Sequence, residues 1–210
     1  MRLILDLFGG TGAWSLPYYL DPRYRVVIVD PRASRSRNDL RITVQEYLRH
    51  LKTNGAPRVH GVLGAFPCQH FAGSGSRWWK NKDAFHPELL AGAINNATTM
   101  LEIIEMIDPK GWWCFENPVG RAPRCVPGLG KWVMTFNPCD YGGWLDPPGD
   151  HYTKRTCLWG RFKEPEKRPV QPVPIEKNWV HRMGRKGGQR GLLRAVTPKG
   201  FAKAFKEANP

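Results

Sequence analysis

Arg2-Leu3-Ile4-Leu5-Asp6-Leu7-Phe8-Gly9-Gly10-Thr11-Gly12 decides how this chain is read. Arg2 to Phe8 has the length and apolar character of a strand buried on both faces. Gly9-Gly10-Thr11-Gly12 then makes a tight turn before a short helix, the setting in which a helix N-terminus and bare backbone hold a cofactor. It is not a P-loop, because no Gly-Lys-Ser/Thr comes after it. Alone it is a weak signal, since many nucleotide-binding folds share such a turn.

Outward from this turn, strand-like and helix-like segments alternate, which predicts an α/β fold with a mostly parallel sheet. Ala13 to Leu20 reads as a short helix and Tyr24 to Val29 as a second strand ending at Asp30-Pro31. Residues 45–53 read as a helix with Tyr47, Leu48 and Leu51 on its apolar side. Val59 to Phe66 is a third strand, and His70 to His86 a loop. Pro87 suits a helix N1 position. Leu90, Ala93, Ile94, Ala97, Leu101, Ile104 and Ile107 then recur at helical spacing. Trp112 to Phe115 is a fourth strand. Residues 117–150 read as irregular, Thr156 to Gly160 as a short strand, and the four-proline stretch 161–177 as an extended linker. Thr197-Pro198 reads as the cap of a last helix with Phe201, Ala204 and Phe205 on one side.

The 210 residues suit a single main domain, and 41% hydrophobic content suits a globular core. No apolar run approaches the roughly 20 residues that span a bilayer. Met1-Arg2-Leu3-Ile4-Leu5 reaches Asp6 too soon for a signal peptide. An intracellular, cytoplasmic protein without membrane partners is therefore expected. The five cysteines are widely spaced, with neither zinc-ligand spacing nor a disulfide framework, so no metal is expected. The formal charge is +14, and it is uneven. Residues 1–153 hold 17 basic against 14 acidic side chains, while residues 154–210 hold 15 against 4, a net of +11. Aromatics and glycines interrupt these charges between Asn178 and Gly188, which points to nucleic acid rather than a merely solubilising tail.

Three positions bear chemistry. Phe66-Pro67-Cys68-Gln69 puts a thiol at the mouth of a strand, before a loop rich in Gly, Ser, Trp and Lys. A thiolate there adds readily to an electron-poor ring carbon once its neighbours lower its pKa. Glu116 closes a very apolar strand, so burial should raise its pKa and let it hand a proton to a ring nitrogen. For a lone Glu, a helix cap or salt bridge is the plainer alternative. Asp30, after the second strand, can hydrogen-bond ribose hydroxyls or simply end a surface turn.

Together these segments resemble the cytosine-C5 DNA methyltransferase family, and small phage-encoded members most of all. Asp6 to Gly12 resembles its first cofactor motif, Ala65 to Ala72 its nucleophile motif, and Phe115-Glu116-Asn117-Pro118 its Glu-Asn-Val motif with Pro last. Gly73 to Trp79 and Thr197 to Ala202 are similar to the phage members. The resemblance covers about residues 1–160 in order and spacing. It implies a Rossmann-like S-adenosylmethionine-dependent methyltransferase fold and a bacterial or phage-infected cell. It also implies methyl transfer from S-adenosyl-L-methionine to C5 of a flipped-out cytosine, leaving S-adenosyl-L-homocysteine. Cys68, Glu116 and Lys154 would be catalytic. Phe8, Gly10, Thr11, Gly12, Asp30 and Pro67 would line the cofactor pocket. Gln69, Ser74, Arg77 and Arg155, with Arg182, Arg185 and Lys186 of the basic stretch, would contact DNA. The loop from His70 to Lys82 would close over the base.

The chain departs from the family in two places. The family carries paired arginines in a Gln-x-Arg-x-Arg strand; here Lys154 and Thr156 stand in those places, and Arg155 should face the opposite side. A single ammonium is no substitute for a planar fork. The acid that often comes after the third strand has no clear counterpart; Thr43 sits about there. The second departure is size. The expected layout is a catalytic domain over 1–160, a minimal basic Pro/Gly-rich recognition segment over 161–196, and a C-terminal helix over 197–210 packing back on the catalytic domain. Such a segment is too short for its own core, which implies phosphate-dominated affinity and a short target of about two to four bases. A monomer acting on duplex DNA is the reading. An RNA cytosine methyltransferase with this DNA-type site, or an inactive nucleic-acid-binding relative, are its alternatives. A nicotinamide enzyme is disfavoured, because the turn is not G-x-G-x-x-G and Pro-Cys-Gln would go unexplained.

Overall fold

A computed structural model describes residues 1–178 and 194–210. Strands β1 (Arg2–Leu7), β2 (Tyr24–Val29), β3 (Gly61–Gly64) and β4 (Trp112–Pro118) run parallel to one another. β6 (Thr156–Arg161) pairs antiparallel with β4, and β5 (Met134–Phe136) antiparallel with β6. The sheet order is β2-β1-β3-β4-β6-β5, so the fold is α/β, Rossmann-like, with a mostly parallel mixed sheet.

Period-two alternation sends neighbouring residues of each strand to opposite faces. Leu5, Leu7, Val27, Val29 and Val62 face one side, where they pack against helices α2 (Val44–Asn54) and α4 (Pro87–Ile107). Ile4, Val26, Ile28 and Leu63 face the other, against α1 (Leu16–Tyr19) and the last helix, Lys199–Ala208. With both faces covered, the middle strand has little room. A Cβ at Gly64 would lie 2.1 Å from Met100 Cε, which is why so short a strand carries glycine there.

β2 coincides with its expected bounds, and α4 starts at Pro87 as expected. The buried stripe of α4 is rotated from the expected one: Met100 and Ile103 are fully buried, while Leu90, Ile94 and Leu101 are only partly so. The first helix is shorter than read, covering Leu16–Tyr19. The segment expected as a loop from His70 to His86 holds a 3-10 helix, Gly73–Trp78, and then α3 (Trp79–Phe85). Its glycines and serines read as loop, but tertiary contacts to the segment after β4 fix it. Residues 117–150 likewise contain α5 (Ala122–Cys125) and β5.

The extended stretch after β6 lies against the domain. Val170 N donates to Cys139 O and Gly143 N to Arg168 O, both at 2.8 Å, and the Arg168 guanidinium covers Trp144 at 3.8 Å. The last helix, α6 (Lys199–Ala208), buries Phe201, Ala204 and Phe205 as expected, with Phe201 stacked on Phe136 at 3.9 Å. Thr197 is not its cap. Pro198 holds that position without a side-chain bond, and Asp150 Oδ2 accepts from Gly200 N at 2.8 Å instead. Among the described residues no helix is long and apolar enough to cross a membrane.

Candidate active site

The chain runs from β1 out to β2 and then returns to the far side of β1 for β3. The strand order reverses there, and in open α/β sheets the crevice at the carboxyl ends of such a pair holds the ligand. Register brings the candidate residues to that crevice. Leu7 pairs with Gly64 and Gly64 with Phe115, so β1, β3 and β4 reach this edge level with one another. At this edge β1 leads into the glycine turn, β3 into Ala65-Phe66-Pro67-Cys68, and β4 carries Glu116. β6 runs the other way, with Thr156 opposite Pro118, so the residues before it enter at the same edge. Lys154 and Arg155 precede the strand rather than lie in it.

On the turn side, Phe8, Gly10 and Gly12 have positive φ of 56, 51 and 66°. Buried Asp30 holds the turn: its Oδ2 accepts from Gly10 N at 3.1 Å and its Oδ1 from Arg32 N at 2.7 Å. Beneath, Asp6 is buried and accepts from Ser15 Oγ at 2.5 Å. Burial raises the Asp6 pKa to about 6, against the opposing Ser15 bond and the charge of Arg35. Arg35 carries no motif that marks it in the sequence; its Nη2 donates to Thr11 O. A Cβ at Gly10 would meet only Asp30 Oδ2, 3.8 Å away, so the turn presents bare backbone there. Thr11 is exposed, and Phe8 and Pro67 are half-buried, each just past the end of its strand. Thr43 is accounted for as the N-cap of α2, in a capping box with Glu46.

On the chemical side, Cys68 is a free, partly buried thiol. Burial pushes its pKa up, and so does the charge of Glu116; Lys154 and Arg194 pull it back. Glu116 is buried, which raises its pKa, with Lys154 opposing. The structure thus brings Cys68, Glu116 and Lys154 into one electrostatic group. Thr156 is buried, and its hydroxyl donates to Lys154 O at 3.0 Å, bracing the lysine's backbone. Asn117 braces the turn that carries Cys68: its Nδ2 donates to Phe66 O at 2.7 Å. Its Oδ1 is buried without a partner among the described residues.

The segment after Cys68 is sewn to the segment after β4. Gly73 N donates to Val119 O and Arg121 N to Phe71 O. The approach is close enough that a Cβ at Gly120 would lie 1.8 Å from Phe71 O. Arg121 then ties down α3. Its guanidinium pairs with both Asp83 oxygens, donates to His70 O at 2.8 Å, and covers Trp79 at 4.6 Å. Sequence reasoning misses Gly120 and Arg121 as site residues, and it places Asn117 in a motif without its partner Phe66, since each acts on a segment remote in the chain.

Of the expected nucleic-acid contacts, Gln69, Ser74, Arg77 and Arg155 are exposed. Gln69 and Arg155 lie at the mouth, next to Cys68 and Lys154; Ser74 and Arg77 sit on the 3-10 helix, Arg77 against Trp78 at 5.2 Å. Arg182, Arg185 and Lys186 lie outside the described residues. The flanks of that basic stretch are described. Asn178 Nδ2 donates to Thr153 O at 3.0 Å, and Lys154 Nζ donates to Arg194 O at 2.8 Å. The sequence matches no known protein-family model, and no curated protein is significantly similar to it.

Proposed function

We propose that this chain is an S-adenosylmethionine-dependent cytosine-C5 methyltransferase acting on DNA. The observation that carries the reading is the meeting of Cys68, Glu116 and Lys154 at the strand ends that flank the glycine turn. A thiol, a carboxyl whose pKa burial raises, and a cation are the groups needed to make a cytosine ring carbon nucleophilic. The cofactor's place is also supported. The bare face of Gly10, the positive-φ turn and the two acids Asp6 and Asp30 beneath it suit a ligand that carries positive charge. Phe8, Gly10, Thr11, Gly12, Asp30 and Pro67 would hold it.

The target cytosine is taken out of its stack, because the ring carbons are unreachable inside a duplex. Cys68 Sγ bonds to C6, and the electrons of the C5–C6 double bond move toward C5 and N3. Protonated Glu116 donates to N3, so no full charge builds on the ring. When bound at the turn, S-adenosylmethionine supplies an electrophilic methyl group to C5. The C5 proton then passes to solvent, its bonding electrons re-form the C5–C6 double bond as Cys68 leaves as a thiolate, and N3 returns its proton to Glu116. Asn117 holds the Pro-Cys turn still through Phe66 O, which keeps the sulfur in reach of C6.

A DNA duplex bearing 5-fluorocytosine tests this, because the fluorine blocks the proton loss. We expect a covalent complex with the wild type in the presence of cofactor, and none with Cys68→Ala. Parallel methyl transfer to duplex DNA, single-stranded DNA and tRNA reads the substrate. Preference for tRNA would convert the proposal to an RNA enzyme; no adduct with any of the three would sink it.

A further inference from the structure

We infer that Arg194 is a positioning residue of this site: its backbone holds Lys154 in place, and its guanidinium is the second cation that the Lys154–Thr156 stretch lacks. The use of that cation rests on the proposed cytosine chemistry, whereas the placement of Arg194 does not.

Two described contacts fix the placement. Lys154 Nζ donates to Arg194 O at 2.8 Å, a bond between residues 40 apart in the chain. A flexible ammonium would otherwise swing freely on its four-carbon stem. A few residues further on, α6 is fixed in the core by Phe201 and Phe205 and held at its start by Asp150 on Gly200 N. The short link from Arg194 to α6 therefore anchors the arginine's backbone from the other side. Thr156 cannot serve as the missing cation, and its hydroxyl is already given to Lys154 O.

The Arg194 charge also reaches the nucleophile. Burial and Glu116 hold the Cys68 thiol protonated, and Lys154 and Arg194 are the two cations that oppose them. Arg155, the neighbouring arginine in sequence, is exposed, and its charge acts on Cys157. The second cation whose charge acts on the thiol thus comes from beyond the basic stretch. Its planar fork suits a polar base edge or a flanking phosphate, which an ammonium alone engages with less geometric selection. Two cations from separate segments would stabilise the thiolate at the moment of attack.

The experiment is the pH dependence of iodoacetamide alkylation at Cys68, read by peptide mass spectrometry in wild type, Arg194→Lys and Arg194→Ala. Removing the guanidinium should move the Cys68 midpoint up by about one pH unit, and Arg194→Lys should restore much of it. Trapping on 5-fluorocytosine DNA should fall about 100-fold in Arg194→Ala and recover in part in Arg194→Lys. A structural role alone would not give charge-dependent rescue of the thiol's pH profile. A wild-type profile in an Arg194→Ala protein that retains wild-type circular dichroism overturns the inference. If the wild type traps no nucleic acid, the cytosine chemistry fails, yet the alkylation profiles still decide the place of Arg194.

Discussion

The charge of Glu116 raises the Cys68 thiol, so the two groups favour a state with one proton between carboxyl and thiol. The proposed chemistry uses the form of that state with Glu116 protonated and Cys68 ionised. Glu116→Gln keeps the shape and removes the charge. Its Cys68 should alkylate with a lower pH midpoint than wild type, while trapping on 5-fluorocytosine DNA falls about 100-fold for want of the proton. An unmoved midpoint would show that Glu116 carries no charge near the sulfur. Asp6 makes a different prediction. Its pKa is raised from 3.8 to about 6 by burial, so the folded protein binds the proton more tightly than the unfolded chain. The resulting stability is present below pH 3.8 and lost as pH rises through about 6. Asp6→Asn keeps an acceptor for Ser15 and does not titrate. The wild type should therefore lose stability relative to Asp6→Asn between these limits, by about 3 kcal/mol. Urea unfolding of both proteins at several pH values measures it, and a constant difference would refute it.

α3 is an element whose order comes from one arginine. Its sequence, Trp-Lys-Asn-Lys-Asp-Ala-Phe, has no strong helical stripe and no side-chain cap at its start. Arg121 supplies what is missing, with a paired bond to Asp83 and its guanidinium face on Trp79. Arg121→Ala should speed amide exchange across residues 73–85, because local opening of this segment no longer breaks the pair with Asp83. Strand exchange should hardly change. Equal protection of this segment in both proteins would mean that other contacts hold it. Legibility divides along the same line. β1, β2, α4 and α6 could be read because Ile4, Val27, Ala97 and Phe205 belong to local periodic patterns. The edge strand β5 has three residues, too few for a pattern, and α3 depends on a partner remote in the chain. Within the site, Cys68, Glu116 and Lys154 could be read from motif and spacing. Asn117, Arg121 and Arg194 act through Phe66 O, Asp83 and Lys154, pairings that only the folded register creates.

At the scale of the whole molecule the charge has a direction. The net +11 of residues 154–210 belongs to the part of the chain that returns to the site. Asn178 and Arg194, the described flanks of the most basic stretch, bond to Thr153 and to Lys154, next to one another at the mouth. Both described flanks of the stretch that contains Arg182, Arg185 and Lys186 thus reach the edge where Cys68 opens. If they neutralise phosphates, each releases about 0.9 counterions on duplex DNA. The triple variant Arg182→Ala/Arg185→Ala/Lys186→Ala should lower the slope of log affinity against log salt by about 2 to 3. It should do so on duplexes of unrelated sequence alike, because phosphate contacts position without reading bases. Alkylation of Cys68 should be unaffected, which separates lost binding from a damaged site. Fluorescence anisotropy with labelled duplexes from low to moderate salt measures the slope. A slope equal to wild type would remove these three side chains from the interface and move the polyanion contact to Gln69, Arg77 and Arg155 at the mouth.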